Sequence, residues 1–186
     1  MAYINVIQHE EAEGKLKDIY DGLVESRGKL AEIHKIQSLN PETIMAHMEL
    51  YMSIMFGKSP LKRYQREMMA VVVSINNGCK YCTKHHAEAL GYFWKDESKI
   101  TAFIEDYTEV GLSEKEVLLC DFAERLTNQP SEVKEENHID SLKEKELTDR
   151  EILDATLVVS YFNFVNRIVI GLGVELEVNP GGYKYK

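Results

Sequence analysis

The segment from residue 67 to residue 86, EMMAVVVSINNGCKYCTKHH, decides the fold prediction for this chain of 186 residues. The uninterrupted apolar run Met68–Val73 predicts a buried helix. The sequence Asn76-Asn77-Gly78 ends that helix, because asparagine and glycine favour the left-handed backbone found at helix ends. A second helix is then expected from Cys79 to about Tyr92. The segment therefore predicts two consecutive helices joined by a tight turn.

The same helical spacing of apolar residues continues on both sides of this segment. Helices are expected at Glu10–Ser26, from Asn40-Pro41 to Gly57, from Ser59-Pro60, at Glu97–Tyr107, within the charge-rich Ser131–Lys145, and after the capping boxes Ser113-x-x-Glu116 and Thr148-x-x-Glu151. No linker or low-complexity block separates them. We predict one all-α domain over residues 1–186, with the motif core at about 40–95, C-terminal helices at about 113–172 and a short tail at 174–186.

The composition excludes several classes of protein. Asp and Glu outnumber Lys and Arg by 31 to 22, and the net charge of −9 argues against a nucleic-acid partner. A hydrophobic fraction of 44% is too high for a disordered chain. No apolar stretch approaches the roughly 20 residues that cross a bilayer, and the first residues do not form a secretory signal. We therefore expect a cytoplasmic protein without a membrane partner.

The chain has three cysteines, Cys79, Cys82 and Cys120. In a reducing compartment, a close pair such as Cys79 and Cys82 is typical of a redox-active or metal-binding site. A structural zinc site needs four ligands, and the remaining Cys120 lies alone in an amphipathic helix, where a core position is expected. A redox dithiol is favoured, and a zinc-stabilised site is the alternative.

Helix geometry supports this choice. Cys79 is expected at a helix N-terminus, where free backbone N–H groups stabilise a thiolate. Cys82, three residues later, lies on the same face within bridging reach. His86 follows one turn after Cys82 and is placed to accept the thiol proton. His85 points about 100° away from that direction and is expected to be a surface or packing residue.

Glu67 is the remaining candidate, because it lies in an otherwise apolar helix. If its face packs on the cysteine helix, the carboxylate is buried beside His86 and orients the imidazole. The alternative is a surface salt bridge. Polar residues also interrupt the most apolar helix at Asn163, Asn166 and Arg167. They could cap or cross-link helices or line the pocket, and the structural role is favoured.

The pattern Glu67-x11-Cys79-x2-Cys82-x3-His86 resembles the signature of the alkylhydroperoxidase AhpD-like family, which is grouped with the carboxymuconolactone decarboxylases. The resemblance covers about residues 4–178. Further segments resemble the peroxidase-related branch of that family: Ser38–Pro41, Ser113–Pro130, Tyr161–Ile168 and Leu172–Glu177.

This resemblance implies an all-helical AhpD-like bundle, a homo-oligomer (trimer or hexamer) and thiol-dependent reduction of hydroperoxides without metal or other cofactor. Cys82 would be the peroxidatic cysteine, Cys79 the resolving cysteine, and His86 with Glu67 the proton relay. The helix terminus favours Cys79 as the more acidic thiol, whereas the nearby His86 favours Cys82. Tyr81 occupies the slot between the cysteines in which some relatives have histidine.

The implied partners are a small hydroperoxide and a dithiol reductant of the lipoyl-domain, thioredoxin or glutaredoxin type. Three alternative functions stay open at this point. They are a dithiol–disulfide oxidoreductase without peroxidase activity, a decarboxylase-like enzyme of the same fold, and a zinc-stabilised binding protein without catalysis.

Overall fold

The structure is a computed structural model that describes residues 2–133, 138–177 and 182–183. The described residues form helices and contain no strand, as the spacing predicts. The α-helices are α1 (Gly14–Arg27), α2 (Glu32–Lys35), α3 (Pro41–Tyr51), α4 (Arg63–Asn76), α5 (Lys80–Trp94), α6 (Glu97–Glu105), α7 (Glu114–Asn128), α8 (His138–Glu144) and α9 (Asp149–Leu172). Short 3₁₀ turns cover His9–Glu11, Tyr107–Glu109 and Pro130–Glu132, and a π-helical turn, Met52–Phe56, extends α3.

Both predicted capping boxes are confirmed. Ser113 accepts a hydrogen bond from the Glu116 backbone N–H at the start of α7, and Thr148 does the same with Glu151 at the start of α9. Each cap satisfies backbone donors that the first helical turn leaves unpaired, which is why these two boundaries were readable from sequence.

Two other predicted boundaries are wrong. The helix expected from Ser59-Pro60 begins only at Arg63, because the Ser59 hydroxyl accepts the Leu61 N–H and donates to Asp154, which holds a turn there. The first helix begins at Gly14 rather than Glu10, since Ala12 and Glu13 adopt extended backbone. The short α2 was not predicted. Of the charge-rich segment 131–145, residues 134–137 lie outside the described part.

Helix α4 is the centre of the bundle. Its residues from Gln65 to Ser74 are all buried, and it packs against α5, α7 and α9. Fully burying one large aliphatic or aromatic side chain stabilises the fold by about 1.5–3 kcal/mol. Because α4 buries several such side chains in succession, it anchors the main core. A second, smaller apolar cluster joins α1 to α3 through Leu16, Tyr20 and Ile44. Cys120 is completely buried in the main core, as expected.

Helix α9 is long and apolar enough to cross a membrane by length and composition. Its residues Val158, Phe162 and Val165 instead face the core, against α4 and α7. These side chains pack as part of the helical bundle. The cytoplasmic location stays a prediction.

The turn between α4 and α5 positions the two cysteines. Gly78 adopts φ +68°, and the Cys79 N–H then donates to the Ser74 carbonyl at 2.8 Å. Asn77 ties this turn to α9 by donating to the side-chain oxygens of Asn163 (3.1 Å) and Asn166 (3.0 Å). Asn163 and Asn166 therefore cross-link helices, which is the structural role expected for them.

Candidate active site

Cys79 and Cys82 lie together at the start of α5. Cys79 is the N-cap residue and Cys82 lies in the first turn. Both are free thiols with exposed fractions of only 1% and 2%, and each acts directly on the pKa of the other. The pair is therefore a buried dithiol within reach of disulfide formation.

The two thiols have opposite pKa shifts. The hydrogen bond from the Cys82 thiol lowers the pKa of Cys79, helped by the backbone N–H groups of Cys82 and Tyr81. The same thiol–thiol hydrogen bond, together with burial and the charge on Cys79, raises the pKa of Cys82 well above its usual value. Cys79 is therefore the more acidic thiol, because the Cys82 thiol and, to a lesser extent, the backbone N–H groups at the start of α5 favour its thiolate.

Glu67 and His86 form the second part of the site. The Glu67 Oε2 lies 2.7 Å from His86 Nδ1, and Oε1 accepts from the Arg63 Nε at 2.9 Å. Glu67 is completely buried. Burial opposes its ionisation, but His86 and Arg63 outweigh that effect and lower the pKa of the carboxyl. The structure thus buries a carboxylate between a histidine and an arginine and does not place it in a surface salt bridge.

The carboxylate determines the orientation of the His86 ring. A carboxylate at Nδ1 favours a proton on that nitrogen, which leaves Nε2 as the acceptor of the neutral imidazole. The ring also packs edge-on against Phe162, with centroids 4.4 Å apart. His86 is therefore held rigidly, with one nitrogen available for proton transfer.

A cavity of about 90 Å³ adjoins this pair. Cys82 and His86 both line it, whereas Cys79 is not among its lining residues. Most of the remaining wall is aromatic or histidine side chain, including His34, His47, Tyr51, Tyr161 and Tyr183. A small molecule in this cavity therefore meets the Cys82 sulfur before it meets Cys79.

Two histidines of the cavity wall, His34 and His47, are neutral. His47 Nδ1 lies 2.9 Å from the Gln37 amide nitrogen, and its Nε2 lies 2.6 Å from the Tyr161 hydroxyl. Burial lowers the pKa of His47 to about 4 and that of His34 to about 3. Both are uncharged at neutral pH, and they supply hydrogen-bonding groups rather than positive charge.

Two further residues act on the site: Asn166, for which the sequence favours a structural role over one in the pocket, and Glu177, for which it indicates no role. Asn166 hydrogen-bonds to Cys82 and thereby partly counteracts the rise in its pKa. Glu177 accepts from the Tyr81 hydroxyl at 2.9 Å and pairs with His85 Nε2 at 2.8 Å. His85, expected to be a surface or packing residue, also lines the cavity, and its pairing with Glu177 was not expected. The polar interruption of α9 could have signalled Asn166, whereas nothing local marks Glu177.

Within the described ranges of the chain, no group of three or more His, Cys, Asp and Glu side chains is arranged to hold a metal ion.

Comparisons with known proteins give a family for this arrangement. The sequence model of the carboxymuconolactone decarboxylase family matches residues 41–92, which include Glu67, both cysteines and His86. No curated protein matches the chain.

Several solved structures share the fold. An uncharacterized peroxidase-related protein from Silicibacter sp. TM1040 is 27% identical with a TM-score of 0.78, covering 91% of this chain and 86% of that one. An AhpD-core, peroxidase-related protein from Ralstonia eutropha JMP134 is 19% identical with a TM-score of 0.84, covering 95% and 93%. The debrominase Bmp8 is 21% identical with a TM-score of 0.79, covering 96% and 94%. A cysteine-to-alanine variant of that debrominase was solved with 2,3,4-tribromopyrrole. The match at residues 41–92 and the shared fold support assignment of the chain to the AhpD-like and carboxymuconolactone decarboxylase family.

Proposed function

We propose that the protein is a thiol-dependent hydroperoxide reductase that cycles Cys79 and Cys82 between dithiol and disulfide. One observation supports this most strongly: Cys82 shares a cavity with His86, whose other nitrogen is held by the buried Glu67. A nucleophile, a base and a residue that orients the base are the parts that thiol chemistry needs. The family and fold support a peroxidase-related enzyme in general.

Access and acidity assign different roles to the two cysteines. Cys82 lines the cavity, so its sulfur attacks the peroxide after its proton passes to His86 Nε2. The sulfur–oxygen bond forms as the oxygen–oxygen bond breaks. The leaving alkoxide takes a proton from the His86 imidazolium and departs as an alcohol. Cys82 is thereby oxidised to a sulfenic acid, and the peroxide is reduced.

The lowered pKa of Cys79 suits the next step. Its thiolate attacks the Cys82 sulfur, the disulfide forms, and the sulfenic oxygen leaves as water after protonation. A protein dithiol of the lipoyl-domain, thioredoxin or glutaredoxin type then reduces this disulfide by exchange. The lowered pKa of Cys79 thus favours disulfide formation, the second step. Access to the cavity makes Cys82 the nucleophile of the first step.

Reductive debromination is a second candidate function. The chain shares its fold with the debrominase Bmp8, and the aromatic cavity suits a small heteroaromatic ring. In that reaction the same dithiol would supply two electrons and become a disulfide, as a carbon–bromine bond is replaced by carbon–hydrogen and bromide leaves.

The decisive experiment titrates the reduced protein with hydrogen peroxide and with tert-butyl hydroperoxide and follows free thiols and intact mass by stopped-flow and quench. We expect rapid loss of two thiols in the wild type and in Cys120→Ser, and no peroxide-dependent loss in Cys82→Ser. Wild-type oxidation no faster than that of Cys82→Ser would exclude the peroxidase. Bromide release from 2,3,4-tribromopyrrole with a dithiol, measured in parallel, tests the second candidate.

A homo-oligomer, trimer or hexamer, is part of this proposal. Large apolar side chains are exposed on α3 and α9, among them Met45, Leu50, Leu157 and Phe164. Exposed apolar groups of this kind are typical of subunit contacts. Light scattering at working concentration tests this, and a monomer would contradict it.

A further inference from the structure

Arg27, the last residue of α1, is a buried cation in the wall of the same cavity. Its exposed fraction is 9%, and its guanidinium carbon lies 4.8 Å from the Phe56 ring centre and 5.6 Å from that of Tyr51. Over the described ranges 2–133, 138–177 and 182–183, no carboxylate forms an ion pair with it. Stacking on aromatic faces offsets only part of the loss of hydration, so the charge still lacks a counter-ion.

His34 is a second group without a partner in this cavity wall. Its Nδ1 is fully buried and has no hydrogen-bond partner among the described residues. Burial, the nearby His47 and the charge of Arg27 keep the ring neutral. A buried polar atom without a partner is rare and costly in native proteins, so His34 Nδ1 has a hydrogen bond to gain from a group that enters the cavity.

The nearby buried carboxylate does not neutralise Arg27. Both carboxylate oxygens of Glu67 already have partners, Oε1 with Arg63 and Oε2 with His86. Tyr51 lies between these groups, since Glu67, Arg63 and Arg27 all act on its hydroxyl. The cavity wall therefore includes His86 with its partner Glu67 next to Cys82, His85 with its partner Glu177, and Arg27, which has no ion-pair partner among the described residues, beside the neutral His34 ring.

We propose that Arg27 and His34 bind a carboxylate of the substrate, so that the preferred substrate is a small organic hydroperoxide bearing a carboxylate group. The guanidinium offers a planar pair of donors to the carboxylate, and the His34 Nδ1–H donates to one of its oxygens. The aromatic wall covers the carbon skeleton and directs the peroxide group toward Cys82. This inference rests on the proposed function for the peroxide group, but the carboxylate site is testable without it.

The first experiment measures binding in Cys82→Ser by isothermal titration calorimetry, with butanoate and its neutral counterpart butanamide as probes. We expect butanoate to bind at least tenfold more tightly than butanamide, and Arg27→Gln to abolish that preference. Arg27→Lys keeps the positive charge and should retain part of the preference for butanoate. His34→Phe should weaken that preference. Arg150→Gln removes an exposed arginine of α9 and serves as the control.

Equal affinity for the two probes, or an unchanged preference in Arg27→Gln, would overturn the carboxylate site and leave Arg27 a packing residue. Circular dichroism and thermal melting establish that each variant is folded. If Arg27→Gln does not fold, Arg27→Lys and His34→Phe still decide the question, because both leave the cavity wall filled.

The second experiment compares kcat/KM for 3-hydroperoxy-3-methylbutanoate and tert-butyl hydroperoxide, which differ by one carboxylate. In the wild type we expect kcat/KM to be at least tenfold higher for 3-hydroperoxy-3-methylbutanoate, because its KM is lower. Arg27→Gln should lose this preference. If neither peroxide reacts but butanoate binding needs Arg27, the proposed function fails and the carboxylate site stands. If both react equally and butanoate does not bind, the carboxylate site fails and the peroxidase stands.

Discussion

The Glu67 carboxylate lies 2.7 Å from His86 Nδ1, in a position with no exposure to solvent. Nineteen residues separate the two side chains, and the packing of α4 on α5 brings them together. The pair leaves Nε2 of the imidazole free as a base while Glu67 stabilises the imidazolium that proton transfer creates. Four predictions follow from this arrangement and its surroundings.

Glu67→Gln should slow peroxide-dependent thiol oxidation about 100-fold, because it removes the charge that stabilises protonated His86. The variant should remain folded, although leaving Arg63 without its carboxylate lowers stability by up to about 3–5 kcal/mol. Stopped-flow oxidation and thermal melting measure the two effects separately. Glu151→Gln, which breaks the Lys115 pair at the start of α9, is the matched control and should lose stability without losing rate. An unchanged rate in Glu67→Gln would remove Glu67 from the relay.

Asn166→Ala should raise the pKa of Cys82 further and slow its attack several-fold at neutral pH, because the side chain of Asn166 hydrogen-bonds to that sulfur. The pH–rate profile should shift toward alkaline pH. Asn163→Ala is the matched control, since Asn163 joins the same amide network through Asn77, whereas Asn166 is the asparagine that acts on the pKa of Cys82. If both variants shift the profile equally, Asn166 acts only by holding the helices.

The stability of the fold should fall as pH decreases from about 6.5 toward 4.5. His34 and His47 have pKa values lowered to about 3 and about 4, so in this window the unfolded chain binds protons that the folded chain does not. Stability therefore rises with pH up to the unfolded pKa. Thermal melting across this range should show a flatter slope in His34→Phe and in His47→Gln than in the wild type.

Glu177 should add stability that disappears in acid. Hydrogen bonding to His85 and to backbone N–H groups outweighs burial and lowers its pKa from 4.5 to about 2. A carboxyl with a lowered pKa stabilises the fold above its unfolded pKa and loses that effect as pH falls through the folded value. Glu177→Gln should therefore lower the melting temperature at pH 7 and lessen its decline between pH 4.5 and 2. Equal declines in variant and wild type would contradict this role.

Local features of the sequence were sufficient for the helical class and for several helix ends. The boxes at Ser113 and Thr148 and the turn at Gly78 depend only on residues within a few positions. The prediction at Ser59-Pro60 was wrong because Asp154, 95 residues away, holds the Ser59 hydroxyl in a turn. A distant partner of this kind leaves no local signal.

The sequence by itself determined the dithiol and its neighbouring histidine, because three- and four-residue spacings on one helix already bring those side chains together. Only the tertiary structure decided the rest of the site. It buries Glu67 beside His86, exposes Cys82 and not Cys79 to the cavity, and adds Asn166, Arg27 and His34 from other helices. Burial, ion pairing and cavity access depend on which helices pack together, and a periodic pattern within one helix does not contain that information.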